Sequence, residues 1–124
     1  MKSKQARKQR KAHYNAPEHI RSRMVASHLS ESLSKEYRRR TVRVIEGDTV
    51  RVVRGDESVK GVEGRVSKVD TKTARLIVEG ITMPKADGTQ KARPVHSSNC
   101  IVTKLDLSDN KRRGMLMGTK EASR

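Results

Sequence analysis

Cations are the side chains of this sequence best placed to do chemistry, and the chemistry open to them is the binding of phosphate. Lys and Arg number 29 against 14 Asp and Glu, a formal net charge of +15 over 124 residues. So charged a chain repels itself unless an anionic surface lies against it, and nucleic acid is the polyanion that answers the demand. Six cations, Lys2, Lys4, Arg7, Lys8, Arg10 and Lys11, fall in the first eleven residues with no acid among them. His13, Arg21 and Arg23 follow, and then the run Arg38, Arg39, Arg40. Arg54, Lys60, Arg65 and Lys68 surround a glycine-punctuated stretch, and Lys85, Lys91 and Arg93 surround a later turn. These are the candidate contacts. A membrane surface is the other polyanion, but the basic stretches lack the Leu, Trp or Phe face that an interfacial helix inserts.

Other chemistries have less to work with. The histidines, His13, His19, His28 and His96, have neither zinc-ligand spacing nor a nucleophile-and-base pattern. Acids stand singly or sit in turns, as Asp56 and Glu57 do, so paired-carboxylate catalysis has no support. No enzyme activity, metal or cofactor is expected. Cys100 is the single cysteine and cannot form an internal disulfide; preceding Ile101 and Val102, it reads as a packing residue. No apolar run is long enough for a signal peptide or a membrane span, so an intracellular, reducing compartment is expected.

The elements that must hold these cations have little apolar material. Only 32% of residues are hydrophobic, Phe and Trp are absent, and the only aromatics are Tyr14 and Tyr37. Burial returns roughly 25 cal/mol per Å² against about 1–2 kcal/mol of backbone entropy per ordered residue, so the core is expected to be small. The charge is unevenly spread: residues 1–46 carry +9, 47–107 carry +3 and 108–124 carry +3. The expected organisation is a basic N-terminal arm (1–46), a β domain (47–107) and a basic C-terminal tail (108–124). The first eleven residues, with nothing larger than Ala to bury beyond Met1, are expected to be disordered alone. Ser30 can cap a helix of about two turns carrying Leu29, Leu33 and Tyr37 along one side. It ends at Arg38–Arg40, where positive charge suits a helix C-terminus.

From Thr41 to Leu107 the pattern is strands and turns. Thr49–Val53 alternates Val50 and Val52 with Arg51, Gly64–Val69 follows a loop, and Ala74–Glu79 alternates Leu76 and Val78 with Arg75 and Ile77. Ile81–Met83 and Arg93–Val95 flank Asp87-Gly88, a pair suited to the positive dihedrals of a tight hairpin. Cys100–Leu105 closes the series after the polar turn His96–Asn99. Five or six short strands argue for a small barrel or sandwich.

Residues 47–81, GDTVRVVRGDESVKGVEGRVSKVDTKTARLIVEGI, combine these features. Val50 and Val52 plant one strand, Val62, Val66 and Val69 serve the next, and Gly55, Gly61 and Gly64 punctuate the connection, where positive φ or a close backbone approach calls for glycine. The stretch resembles the KOW motif of ribosomal proteins and NusG-type elongation factors, with Gly61 at the position of the motif's central glycine. Residues 13–50, HYNAPEHIRSRMVASHLSESLSKEYRRRTVRVIEGDTV, and 78–107, VEGITMPKADGTQKARPVHSSNCIVTKLDL, extend the resemblance. Over nearly the whole chain it is similar to the universal KOW-containing large-subunit ribosomal proteins, numbered twenty-four in bacteria and twenty-six in the eukaryotic cytosol, in their archaeal and eukaryotic form.

The resemblance implies a mainly β, SH3-like barrel with an extended basic arm, one short helix and a basic tail. It also implies direct binding to large-subunit rRNA near its 5′ end, an early role in assembly and a place near the polypeptide exit. The partners implied are that rRNA, neighbouring large-subunit proteins and nascent-chain or exit-tunnel factors, in the cytoplasm. Two rivals stand beside it. A KOW-type transcription elongation factor would carry a separate α/β domain, for which 46 residues of arm and short helix leave no room. A histone-like protein would prefer duplex DNA. Recognition of folded RNA is expected to run through phosphate and 2′-hydroxyl contacts, with little stacking, since Tyr37 is expected to pack against the helix.

Overall fold

Valine builds most of the core, as a chain without Phe or Trp requires. Val25, Val42, Val44, Val50, Val52, Val66, Val78 and Val102 are all buried, joined by Leu29, Tyr37, Leu76, Ile81, Cys100 and Leu116. β-branched side chains fit a pleated, half-buried surface, and a computed structural model, which describes residues 3–122, accordingly shows a mainly β fold. Among the described residues the elements run α1 (Ala6–Tyr14), α2 (Glu18–Met24), β1 (Ala26–Leu29), α3 (Glu31–Tyr37), β2 (Thr41–Arg43), β3 (Thr49–Val52) and β4 (Glu63–Asp70). They continue with β5 (Arg75–Val78), β6 (Thr82–Pro84), β7 (Gln90–Ala92), β8 (Val95–His96), β9 (Cys100–Lys104) and α4 (Asn110–Ala122).

Seven strands form one barrel-like sheet in the order β2-β1-β9-β3-β4-β5-β8. All its pairs are antiparallel except β1 with β9. Irregularities between Thr49 and Val50 and between Val66 and Lys68 let the strands bend. The Ser27 hydroxyl on β1 donates to the Ser97 carbonyl at 2.6 Å, and the Ser97 N–H donates to the Ala74 carbonyl at 3.0 Å. The turn after β8 is thereby joined to β1, curling the sheet on itself. Burial at Cys100 pushes its thiol pKa up to about 11, as a packing cysteine requires.

The strand alternation read from 49–53, 64–69, 74–79 and 100–105 matches β3, β4, β5 and β9. Four expectations need correction. The N-terminal arm is not extended: α1 is a helix because Ala, Arg, Lys and Gln favour the helix even with nothing to bury, and α2 is a helix with Glu18 in its first turn and Arg21 and Arg23 in its last, charges that suit the helix dipole. Nor does the sheet begin with the strands read from Thr41, or the domain at 47, since β1 belongs to the sheet beside β2 and Val25, Ser27, Leu29 and Val42 are buried. Ser30 stands at the α3 N-cap without a side-chain capping bond, its hydroxyl 3.3 Å from that of Ser32. Finally, Arg93–Val95 returns the hairpin only at its first residue, where Arg93 N–H donates to the Ile81 carbonyl at 3.2 Å. β7 lies earlier and pairs Met83 with Lys91, whereas Val95 begins β8 beyond Pro94, which has no N–H for a ladder. The turn itself is wider than two residues: Lys85 N–H bonds the Thr89 carbonyl at 2.8 Å, and in the Asp87-Gly88 pair only Gly88 takes positive φ, +92°.

The C-terminal segment differs most from a tail. Leu116 of α4 is fully buried in the core. One turn earlier Arg112 enters the domain and meets Asp48 face to face. Its Nη1 and Nη2 donate to Asp48 Oδ1 and Oδ2, each at 2.6 Å, and also to the Asp106 carbonyl at 2.7 Å and the Arg43 carbonyl at 3.1 Å. Asp48 accepts further from the N–H groups of Asp106 at 2.9 Å and Ile45 at 3.2 Å.

Arg112→Ala would leave the Asp48 carboxylate buried and unpaired, and should cost about 3–5 kcal/mol in urea unfolding. Lys60→Ala on an exposed loop should stay within about 0.5 kcal/mol. Gly61 and Gly64 separate two reasons for glycine. Gly61 has φ +87° with open space around it, whereas a Cβ on Gly64 would meet the Glu79 carbonyl oxygen at 2.4 Å. Gly61→Ala should cost about 1 kcal/mol, from its left-handed backbone, and Gly64→Ala about 2–3 kcal/mol, from overpacking, on the same unfolding assay.

Candidate nucleic-acid interface

Helix α1 displays its cations without burying a residue. Lys4 just before it, and Arg7, Lys8, Arg10, Lys11 and His13 on it, are all exposed; Lys2 lies outside the described residues. The helix is held at its far end. Arg21 of α2 donates from Nη2 to the Tyr14 carbonyl at 2.6 Å, answering the orphan carbonyls of a helix C-terminus. His13 Nδ1 lies 3.2 Å from Met24 Sδ. Arg21, expected as an RNA contact, thus also fixes the angle between two helices.

A second group of cations gathers where β2, the outer strand of the sheet, runs beside α4. A cleft of about 450 Å³ opens there, with Ala26, Val42, Ile45 and Met115 as its apolar lining. Arg23, Arg39, Arg43 and Lys111 supply the charge, Arg112 lines it with its guanidinium paired to Asp48, and Asp109 is the one acid among the described residues that lines it. Arg23 and Arg39 were expected as contacts. Arg43, Lys111 and Arg112 were not. Arg43 had a signal, the alternation Thr41-Val42-Arg43-Val44 that points it outward from a strand. For Lys111 and Arg112 there was none, since their place depends on where α4 packs.

The run Arg38–Arg40 does not act as one block. Arg38 takes a left-handed conformation, φ +53°, and stops α3. Arg39 lines the cleft, and the Arg40 carbonyl accepts from Leu29 N–H at 3.0 Å. Arg54, Lys60, Arg65 and Lys68 are carried on the β3–β4 loop and on β4, and all four are exposed. Lys85 and Lys91 ride on the exposed β6–β7 ribbon. Arg93 at its base is engaged: Nη2 donates to Asp56 Oδ2 at 2.6 Å, tying the ribbon to the loop that carries Gly55 and Gly61. The cations of residues 54–93 do not line the β2–α4 cleft.

The anionic side chains nearby are held in local turns. Asp106 bonds the Ser108 backbone and side chain and has Arg112 and Arg65 near it, which together keep its carboxyl below the usual range. Among the described residues no group of three His, Cys, Asp or Glu side chains could hold a metal ion, and no helix is long and apolar enough to cross a membrane.

A family described as ribosomal proteins, L26 in eukaryotes and L24 in archaea, matches residues 3–118. The large ribosomal subunit protein uL24 of Methanocella arvoryzae is 53% identical over 110 residues, covering 89% of this chain and 87% of its own. That of Methanospirillum hungatei is 50% identical over 116 residues, covering 94% and 95% respectively. That of Methanoregula boonei is 47% identical over 121 residues and covers 98% of both chains.

Replacing Arg23, Arg39, Arg43 and Lys111 together by Ala, while keeping the buried Arg112, should weaken RNA binding and flatten its salt dependence. Each phosphate that is no longer neutralised should lower the slope of log affinity against log salt by about 0.7–0.9. Filter binding across a salt series measures it, and an unchanged slope would make the cleft a bystander.

Proposed function

We propose, from the premise that this chain belongs to the family of ribosomal proteins called L26 in eukaryotes and L24 in archaea, that it binds large-subunit rRNA directly through the β2–α4 cleft and the cations of α1. It is a structural, non-enzymatic constituent of the large ribosomal subunit. The observation that carries the rRNA reading is the cleft itself: Arg23, Arg39, Arg43 and Lys111, from separate elements, converge around an apolar floor with a single acid. Phosphate contacts of this kind position a protein on RNA without reading its sequence. An A-form surface is recognised largely by shape, through its phosphates and 2′-hydroxyls.

The finer assignments follow the family resemblance. They are binding near the 5′ end of the rRNA, entry early in assembly, and a place near the polypeptide exit beside neighbouring large-subunit proteins, within the cytoplasm. The elongation-factor alternative loses its ground because the family match takes in the N-terminal helices as well as the barrel. A histone-like duplex binder would share the salt dependence but not the preference for RNA.

Sedimentation of a tagged copy from cell lysate tests the assignment. Comigration with the large subunit is expected, and comigration with RNA polymerase would overturn it. Purified chain should also prefer a folded fragment from the 5′ region of large-subunit rRNA over duplex DNA at matched salt. Equal affinity for the two would refute shape recognition.

A further inference from the structure

Two aromatic residues occur in the chain, and the fold treats them oppositely. Tyr37 is 4% exposed within the core, whereas Tyr14, at 81%, is the most exposed large hydrophobic side chain among the described residues. A protein this short of aromatic area has left one ring in water. The surroundings of that ring are cationic. At 3.6 residues per turn, Arg7, Arg10 and Lys11 fall within an arc of about 100° of α1 that includes Tyr14. Beside the ring opens a cleft of about 480 Å³, lined by His13, Tyr14, Arg21, Lys72 and Thr73.

Among the described residues no carboxylate lines this cleft. Asp70, the acid closest in sequence to Lys72 and Thr73, accepts from the Lys72 N–H on one oxygen and from the Thr73 hydroxyl on the other, each at 3.0 Å. That arrangement shapes the β4–β5 turn that presents Lys72. Arg21 fixes the other wall through its 2.6 Å bond to the Tyr14 carbonyl, while a guanidinium keeps further N–H donors for an incoming oxyanion. A flat apolar ring between cations, held on a braced helix end, has the chemistry of a single-stranded nucleotide site, where bases stack and phosphates are gripped.

We infer that Tyr14 is a stacking platform for an unpaired RNA base, with Arg21 and Lys72 holding the adjoining phosphates. This rests on the rRNA-binding reading and adds to it a contact that distinguishes unpaired from paired nucleotides, which cations alone do not supply. A protein partner would call for an apolar or acidic complement. The cluster of cations without acids favours the polyanion.

The chain's lack of Trp makes tyrosine emission a direct probe, with Tyr37 as the only other emitter. The probes are a short RNA hairpin carrying a bulge of unpaired purines and the same hairpin without the bulge. Binding the bulged RNA should quench tyrosine emission of the unsubstituted chain, and the perfectly paired RNA should quench it far less. Tyr14→Ala should abolish that quenching and weaken bulged-RNA binding by about 5- to 100-fold, with the salt slope unchanged, and Tyr14→Phe should restore the affinity. Helix content by circular dichroism should be preserved, since Ala favours helix and the ring is exposed. Full affinity of Tyr14→Ala for the bulged RNA would overturn the stacking contact while leaving RNA binding intact. Failure of the unsubstituted chain to bind either RNA would overturn both.

Discussion

A guanidinium and a carboxylate from opposite ends of the domain meet in its interior, and the placement of the C-terminal helix follows from that meeting. Asp48 is fully buried and Arg112 nearly so. Their two parallel bonds leave further donors of the guanidinium directed at the Asp106 and Arg43 carbonyls, so two stretches far apart in sequence, 43–48 and 106–112, are held at one point. A buried pair of this kind is weak as a net stabiliser compared with apolar residues of the same volume. Its effect here is geometric: it sets α4 beside β2, with Leu116 in the core one turn on. The basic cleft exists because those two elements are side by side.

Charge in this molecule divides into cations that build and cations that face outward. Arg112 is structural. Arg21 and Arg93 are partly so, the first bracing α1 against α2 and the second pairing with Asp56. The Arg93–Asp56 pair is partly solvated and contributes at most about 1 kcal/mol, yet it joins the β6–β7 ribbon to the β3–β4 loop and limits how the ribbon can swing. The exposed cations on α1, on β4 and around the cleft retain their charge for a polyanion. Net charge therefore overstates the number of cations left to face a polyanion.

The architecture compensates for a core without large aromatics. Valine at alternate positions fills the sheet interior, and close backbone approach replaces bulk where it can. At Gly64 the strand passes so near the Glu79 carbonyl that a single methyl would not fit. Bends at Thr49/Val50 and Val66/Lys68 curl the sheet around this narrow interior, and the Ser27–Ser97 bond draws its ends together. With so little apolar area available, exposure of Tyr14 stands out as a departure from the economy of the rest.

The sequence by itself determined what depends on local pattern and composition. Alternation of Val and Leu with charged residues located β3, β4, β5 and β9, glycine spacing located the motif loop, and the excess of Lys and Arg indicated a polyanionic partner, because each of these is set by residues near one another in the chain. It also marked Arg23 and Arg39 as candidate contacts, though without bringing them together in the cleft they both line. Tertiary structure alone decided the rest. β1 became a strand only by pairing with β2 and β9. The roles of Asp48 and Arg112 were invisible because they stand 64 residues apart, and no local signal tells a buried cation from a solvated one. The cleft is likewise a property of packing: its cations come from α2, the α3–β2 connection, β2 and α4, and their convergence is settled only when Arg112 ties α4 to the Arg43 carbonyl and Asp48.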